Sequence, residues 1–82
     1  MKIDVKFYAV DVPIGFSSYT FDMPEDAVVE NVLDECLKLP QVKIEESYFK
    51  ASAILVNGTR ANLDARLKDG DVVTIIRTLE GG

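Results

Sequence analysis

Val28-Val29-Glu30-Asn31-Val32-Leu33-Asp34-Glu35-Cys36-Leu37-Lys38-Leu39 is the stretch on which the fold turns. At about 100° per residue, Val28, Val29, Val32, Leu33, Cys36, Leu37 and Leu39 fall within one half-circle, and Glu30, Asn31, Asp34, Glu35 and Lys38 fall in the other. This period predicts one amphipathic helix over residues 28–39, with a single apolar stripe to bury. Asp26 is the expected N-cap, Glu25 and Asp26 suit the positive end of the helix dipole, and Pro40 stops the helix.

Toward the N-terminus, Ile3, Val5 and Phe7 alternate with Lys2, Asp4 and Lys6, the period of a strand with one buried face. Val12-Pro13-Ile14-Gly15 breaks the pattern, and Tyr19, Phe21 and Met23 then alternate with Ser18, Thr20 and Asp22, so the two strands form a hairpin. Toward the C-terminus, residues 41–50 carry no clear period. Ala53-Ile54-Leu55-Val56 reads as a short, deeply buried strand, and Asn57-Gly58 is the dipeptide that tolerates positive φ at both centres of a type I′ turn. Leu63 and Leu67 pin the next connection, Asp69-Gly70 makes a further turn, and Val72-Val73-Thr74-Ile75-Ile76-Arg77 is the last strand.

The order strand, strand, helix, strand, short strand, strand is an α+β arrangement. A first hairpin, a crossing helix and a returning strand make the β-grasp, or ubiquitin-like, plan: a mixed sheet with one main covering helix. The last strand lies parallel to the first, because a long helical crossover is what parallel pairing needs. Residues 1–78 are expected to form this domain and residues 79–82 a flexible tail ending in Gly-Gly. Side chains alternate along a strand, so if Val73 and Ile75 face the helix, Val72, Thr74 and Ile76 face away from it. Tyr8 joins them from the first strand if Phe7 faces the core. Tyr8, Val72 and Ile76 thus mark an expected partner-docking face.

The chain has 82 residues, with 14 acidic and 9 basic side chains, no histidine and a net charge of −5. That length supports one small core. The absence of histidine excludes a Ser or Cys nucleophile with an imidazole base. The single cysteine, Cys36, falls near the centre of the apolar arc and is expected in the core; it can form no intrachain disulfide. One Cys and no His do not make a zinc site, and Asp69 with Asp71, lacking EF-hand spacing, read as solvated turn acids, so no metal ligands are expected. The glycines match neither a P-loop nor a dinucleotide fingerprint, so the chain is expected to bind no nucleotide itself. Scattered Lys and Arg on an acidic chain disfavour nucleic acid. No apolar run approaches the ~20 residues of a membrane span, the charged N-terminus lacks a signal-peptide core, and a cytoplasmic location is expected.

The end, Arg77-Thr78-Leu79-Glu80-Gly81-Gly82, carries the functional information. At glycine's usual frequency of ~7%, a terminal pair arises by chance in about one chain in 200. Combined with Ile54-Leu55-Val56-Asn57-Gly58, Leu67-Lys68-Asp69-Gly70-Asp71 and a β-branched strand running into Gly-Gly, it resembles the MoaD/ThiS family of ubiquitin-like sulfur carriers. Val5-Lys6-Phe7-Tyr8-Ala9 and Ala27-Val28-Val29-Glu30-Asn31-Val32-Leu33 look like that family's first strand and helix, although Ala27 stands where such proteins often place a threonine cap.

The resemblance implies that Gly82 is the modified residue. An ATP-dependent adenylating enzyme of the ubiquitin-activating type would adenylate its carboxylate, and a sulfur donor protein would supply the sulfur that replaces AMP. Leu79, Glu80 and Gly81 would be the tail that the enzyme recognises. The branch it most resembles is the molybdopterin synthase small subunit, whose acceptor is the large subunit and whose sulfur enters the molybdenum/tungsten cofactor. The alternatives are a thiamine-thiazole sulfur carrier, a ubiquitin-like protein modifier, and a non-covalent β-grasp adaptor. In none of these is the chain itself an enzyme. Glycine suits the tail because a residue without Cβ lets the backbone enter a closed site, and a carboxylate ionised at neutral pH can attack phosphorus.

Overall fold

The protein is described from a computed structural model that covers residues 1–8, 18–40 and 52–76. In chain order the elements are β1 (Lys2–Tyr8), β2 (Ser18–Asp22), α1 (Val29–Leu37), β3 (Ala53–Val56), β4 (Thr59–Arg60) and β5 (Val72–Ile76). They form one sheet of order β2-β1-β5-β3-β4, in which β1 and β5 are parallel and the other neighbours antiparallel. This is the expected mixed sheet with one covering helix.

Alternation decides what is buried. Ile3, Val5 and Phe7 of β1, Phe21 of β2, Ile54 of β3 and Val73 and Ile75 of β5 meet Val29, Val32, Leu33 and Cys36 of α1 in one core. Leu67 joins them, with Leu63 packed partly against the cluster, so both leucines pin the β4–β5 connection as expected. The hairpin of β1 and β2 is extended by Met1 and Met23, which exchange both backbone hydrogen bonds at 2.6 and 2.7 Å.

The helix begins later than the periodicity suggests, and Asp26 is not its N-cap. Residues 25 and 26 form a turn, closed by the Ala27 N–H on the Pro24 carbonyl at 3.1 Å. Val28 is then extended, with φ −115° and ψ 173°, and bridges Arg66. The orphan N–H groups of the first turn find partners on a distant segment: Val29 donates to the Ala65 carbonyl at 3.0 Å and Glu30 to the Leu63 carbonyl at 2.8 Å. Asn31 Oδ1 accepts the Val28 N–H at 2.9 Å, the side-chain half of a capping box. A carboxylate cap is unnecessary where tertiary carbonyls already fill the role. At the other end Lys38 is the C-cap, and Leu39 donates to the Cys36 carbonyl at 3.0 Å, tightening the chain before Pro40.

Strand β3 also departs from expectation. Only Ile54 is buried, while Ala53, Leu55 and Val56 are half-exposed. An apolar run of four reads as buried on both faces, whereas here the helix covers one face only. The bounds of the type I′ turn hold: Asn57 has φ 52° and Gly58 φ 86°, and Val56 pairs Thr59 directly across them.

Candidate functional site

The face of the sheet away from α1 is assembled from the alternate positions of all five strands. One row across it runs Ser18, Lys6, Thr74, Leu55, Arg60; the next runs Tyr8, Ile76, Ala53. A third runs Thr20, Asp4, Val72. The structure thus brings Tyr8, Val72 and Ile76 onto one face, as alternation requires. Tyr8 is 55% exposed, while Val72, Thr74 and Ile76 are half-exposed. Tyr8 and Ile76 are direct neighbours in the parallel register.

Ala53 and Leu55 extend this surface and were missed by reading β3 as wholly buried. The two-residue Asn57-Gly58 turn was the available signal, since it fixes which β3 residues share a face with Arg60 and Thr74. Toward the β2 edge the face becomes polar. Thr20 donates its hydroxyl to Asp4 at 2.7 Å, and the Lys2 ammonium lies 3.0 Å from Asp22. That ion pair holds the Asp22 carboxyl below its usual range through the hydrogen bond and charge of Lys2. Its exposure to solvent makes it a weak contributor to stability. The apolar strip is therefore bounded by Lys6 and Arg60 on one axis and by this polar edge on another.

Beneath the strip lies a clasp at the start of β5. The Asp71 carboxylate accepts the Asn57 side-chain N–H at 2.8 Å and the Lys68 backbone N–H at 2.7 Å. Asn57 Oδ1 accepts the Val72 N–H at 2.9 Å, and the Asn57 N–H donates to the Val72 carbonyl at 2.8 Å. Asp71 is only 7% exposed, which corrects its reading as a solvated turn acid. Its two oxygens satisfy an amide donor and a backbone donor at the junction of two turns. Among the described residues, no group of Cys, Asp or Glu is arranged to hold a metal ion. Asp69, its neighbour, accepts the Lys2 N–H at 2.7 Å and ties the same turn to β1.

Cys36 is fully buried in the core. Burial, with the Glu35 carboxylate adding to it, pushes the thiol up from 9.0 to about 12. It stays protonated at physiological pH and is a packing residue, not a nucleophile. Cys36→Ala is expected to cost about 1 kcal/mol and to fold. Because the folded thiol resists ionisation, wild-type stability falls as pH rises from 9.0 toward about 12, where the unfolded thiol ionises first. Urea titrations across that range are expected to show this alkaline slope flattened in Cys36→Ala.

Leu79, Glu80, Gly81 and Gly82, together with Arg77 and the turn at Val12-Pro13-Ile14-Gly15, lie outside the described residues, as do the aperiodic residues 41–50. Of the tail's support, the described part is β5, which sits between β1 and β3 and ends at Ile76 within the apolar strip. Among the described residues no helix is long and apolar enough to cross a membrane.

Among the described residues, a five-stranded mixed sheet in this order, gripped by one helix, defines a ubiquitin-like β-grasp protein. The chain belongs to the ThiS family, whose model matches residues 5–82. Similar solved structures include a Pyrococcus furiosus protein described as molybdopterin converting factor subunit 1, with 27% identity and TM-score 0.70 over 96% of this chain and 99% of that one. The solution structure of the Haloferax volcanii HVO 2177 protein is 26% identical with TM-score 0.75, over 100% of this chain and 87% of that one. SAMP1 from Haloferax volcanii shares the fold with TM-score 0.75 at 20% identity, each chain covered in full. No curated protein matches the chain. Its fold is thus that of the ThiS/MoaD-type sulfur carriers.

Proposed function

We propose that the protein carries sulfur on its C-terminal glycine for molybdopterin biosynthesis. An activating enzyme would adenylate the Gly82 carboxylate at the expense of ATP. Sulfur from a donor protein would then displace AMP, leaving a thiocarboxylate for delivery to the large subunit of a molybdopterin synthase. The observation that carries this reading is the terminal Gly81-Gly82 on a ThiS-family chain. The likeness to a molybdopterin converting factor subunit 1, over 96% of this chain, supports that branch. In Helicobacter pylori, subunit 1 of that factor forms a complex with subunit 2, in keeping with a large-subunit partner here.

The chemistry asks little of this chain's own side chains. The adenylating enzyme supplies the acid, base and nucleotide site, and the carrier supplies a carboxylate on an unbranched tail and a surface to be held by. The strip of Tyr8, Ile76, Ala53, Leu55 and Val72 is that surface, running along β5 to its end at Ile76. A partner seated on it receives the tail from a fixed origin, so the carboxylate is delivered by positioning.

Incubation with an activating enzyme, ATP and a sulfur donor, followed by intact-mass spectrometry, tests the function. The expected product gains the mass of sulfur for oxygen at Gly82. A carboxylate left unchanged by cognate enzyme that is active on its other substrates would overturn the proposal. Ile76→Asp tests the face: binding to the activating enzyme and to the synthase large subunit is expected to weaken at least tenfold, or ~1.4 kcal/mol. The side chain is half-exposed and off the core, so the isolated variant folds. Equal affinity of variant and wild type would remove the face from the mechanism.

A further inference from the structure

Asn57 and Gly58 turn β3 into β4 with φ of 52° and 86°. An Asn-Gly pair has a general chemical weakness: the glycine nitrogen, flanked by no side chain, can attack the preceding side-chain amide. At Gly58 nothing lies within 4 Å of the place a Cβ would occupy, so no neighbouring group shields the pair from that side. The amide itself is nevertheless restrained at both of its polar atoms. Nδ2 donates to Asp71 Oδ1 at 2.8 Å, and Oδ1 accepts the Val72 N–H at 2.9 Å. Swinging Cγ onto the Gly58 nitrogen requires both bonds to open.

We infer that Asn57 is a concealed deamidation site, held off by the clasp with Asp71 and Val72 and, once converted, disabling that clasp. In the first step the Gly58 nitrogen forms a bond to Asn57 Cγ and the Cγ–Nδ2 bond breaks. Ammonia leaves, taking up the proton that the Gly58 nitrogen loses. Water then opens the cyclic imide at one of its two carbonyls, giving aspartate or isoaspartate. One water is consumed, one ammonia is released, and nothing is oxidised or reduced.

The product cannot rebuild what it replaced. A carboxylate at position 57 has no N–H to offer Asp71, which is 93% shielded from solvent by its 7% exposure. Two carboxylates would instead face each other across the former 2.8 Å contact and repel. The isoaspartate product also lengthens the backbone by one atom within a two-residue turn. Either outcome loosens the junction where β5 begins. The inference concerns a modification of the scaffold and stands apart from the proposed sulfur chemistry.

The test follows deamidation by peptide mapping in mildly alkaline buffer. It compares the full-length folded protein, the same protein in rising urea, and a synthetic peptide spanning residues 54–60. The peptide is expected to convert readily and the folded protein at least roughly tenfold more slowly, with the rate climbing as urea opens the clasp. Asn57→Asp, the product made directly, is expected to melt below wild type or fail to fold, while folded-protein kinetics are read on the wild type alone. Equal rates for folded protein and peptide, a rate indifferent to urea, or an Asn57→Asp protein melting with wild type would overturn the inference.

Discussion

Deleting Gly82 is expected to abolish sulfur loading while leaving the melting temperature unchanged. The two effects are expected to separate because the described core is assembled by residues between Ile3 and Ile75. Its last described member is Ile75, one residue before the end of β5. Removing one residue moves the terminal carboxylate by up to about 3.5 Å. Catalysis by positioning tolerates far less, since a misplacement of about 1 Å can cost on the order of 100-fold in rate. Intact-mass spectrometry after incubation with activating enzyme, ATP and sulfur donor reads the first effect, and calorimetry reads the second. Normal loading of the truncated chain would remove Gly82 from the proposed function. A large fall in melting temperature would show that the tail packs on the domain.

Asp71→Ala is expected to cost about 2–4 kcal/mol of stability. The carboxylate serves two donors, the Asn57 amide and the Lys68 N–H, within a site only 7% exposed. Alanine leaves both without a protein acceptor, and an unsatisfied buried donor costs about 1–3 kcal/mol. Asn57 then loses one of the contacts that aim its Oδ1 at the Val72 N–H. For a domain of this size the loss corresponds to a fall in melting temperature of roughly 10 °C or more. Urea denaturation with native-state hydrogen exchange at Val72 and Lys68 measures it. A loss below about 0.5 kcal/mol, the range of an ordinary surface substitution, would show that the clasp is decorative.

Where the sequence was legible, period was the reason. Ile3, Val5, Phe7, Val73 and Ile75 alternate with polar or half-exposed neighbours, and the helix separates its apolar stripe from its charges, so topology and the Tyr8, Val72 and Ile76 face followed. Boundaries set by tertiary contacts were not legible. The helix starts at Val29 because the carbonyls of Leu63 and Ala65 reach its first N–H groups, and no local signal near Asp26 encodes that. Asp71 misled for the same reason. An acid in an Asp-Gly-Asp turn reads as solvated until a side chain fourteen positions earlier is folded against it. The Gly-Gly tail was read from its composition and its family resemblance, not from any packing that would place it.

The pairing of Asp4 with Val72 through Tyr8 with Ile76 joins nearly opposite ends of the chain in the middle of the sheet. Closing so long a loop comes late in folding, after local structure such as the β1–β2 hairpin and the helix. During synthesis, therefore, the sheet lacks its centre until β5 has left the ribosome. A chain cut short before Val72 has no strand to bridge β1 and β3 and leaves Val5, Phe7 and Ile54 without their neighbours. Such fragments expose apolar surface of the kind that chaperones and proteases bind. The architecture thus makes synthesis of β5 a condition for assembling the sheet.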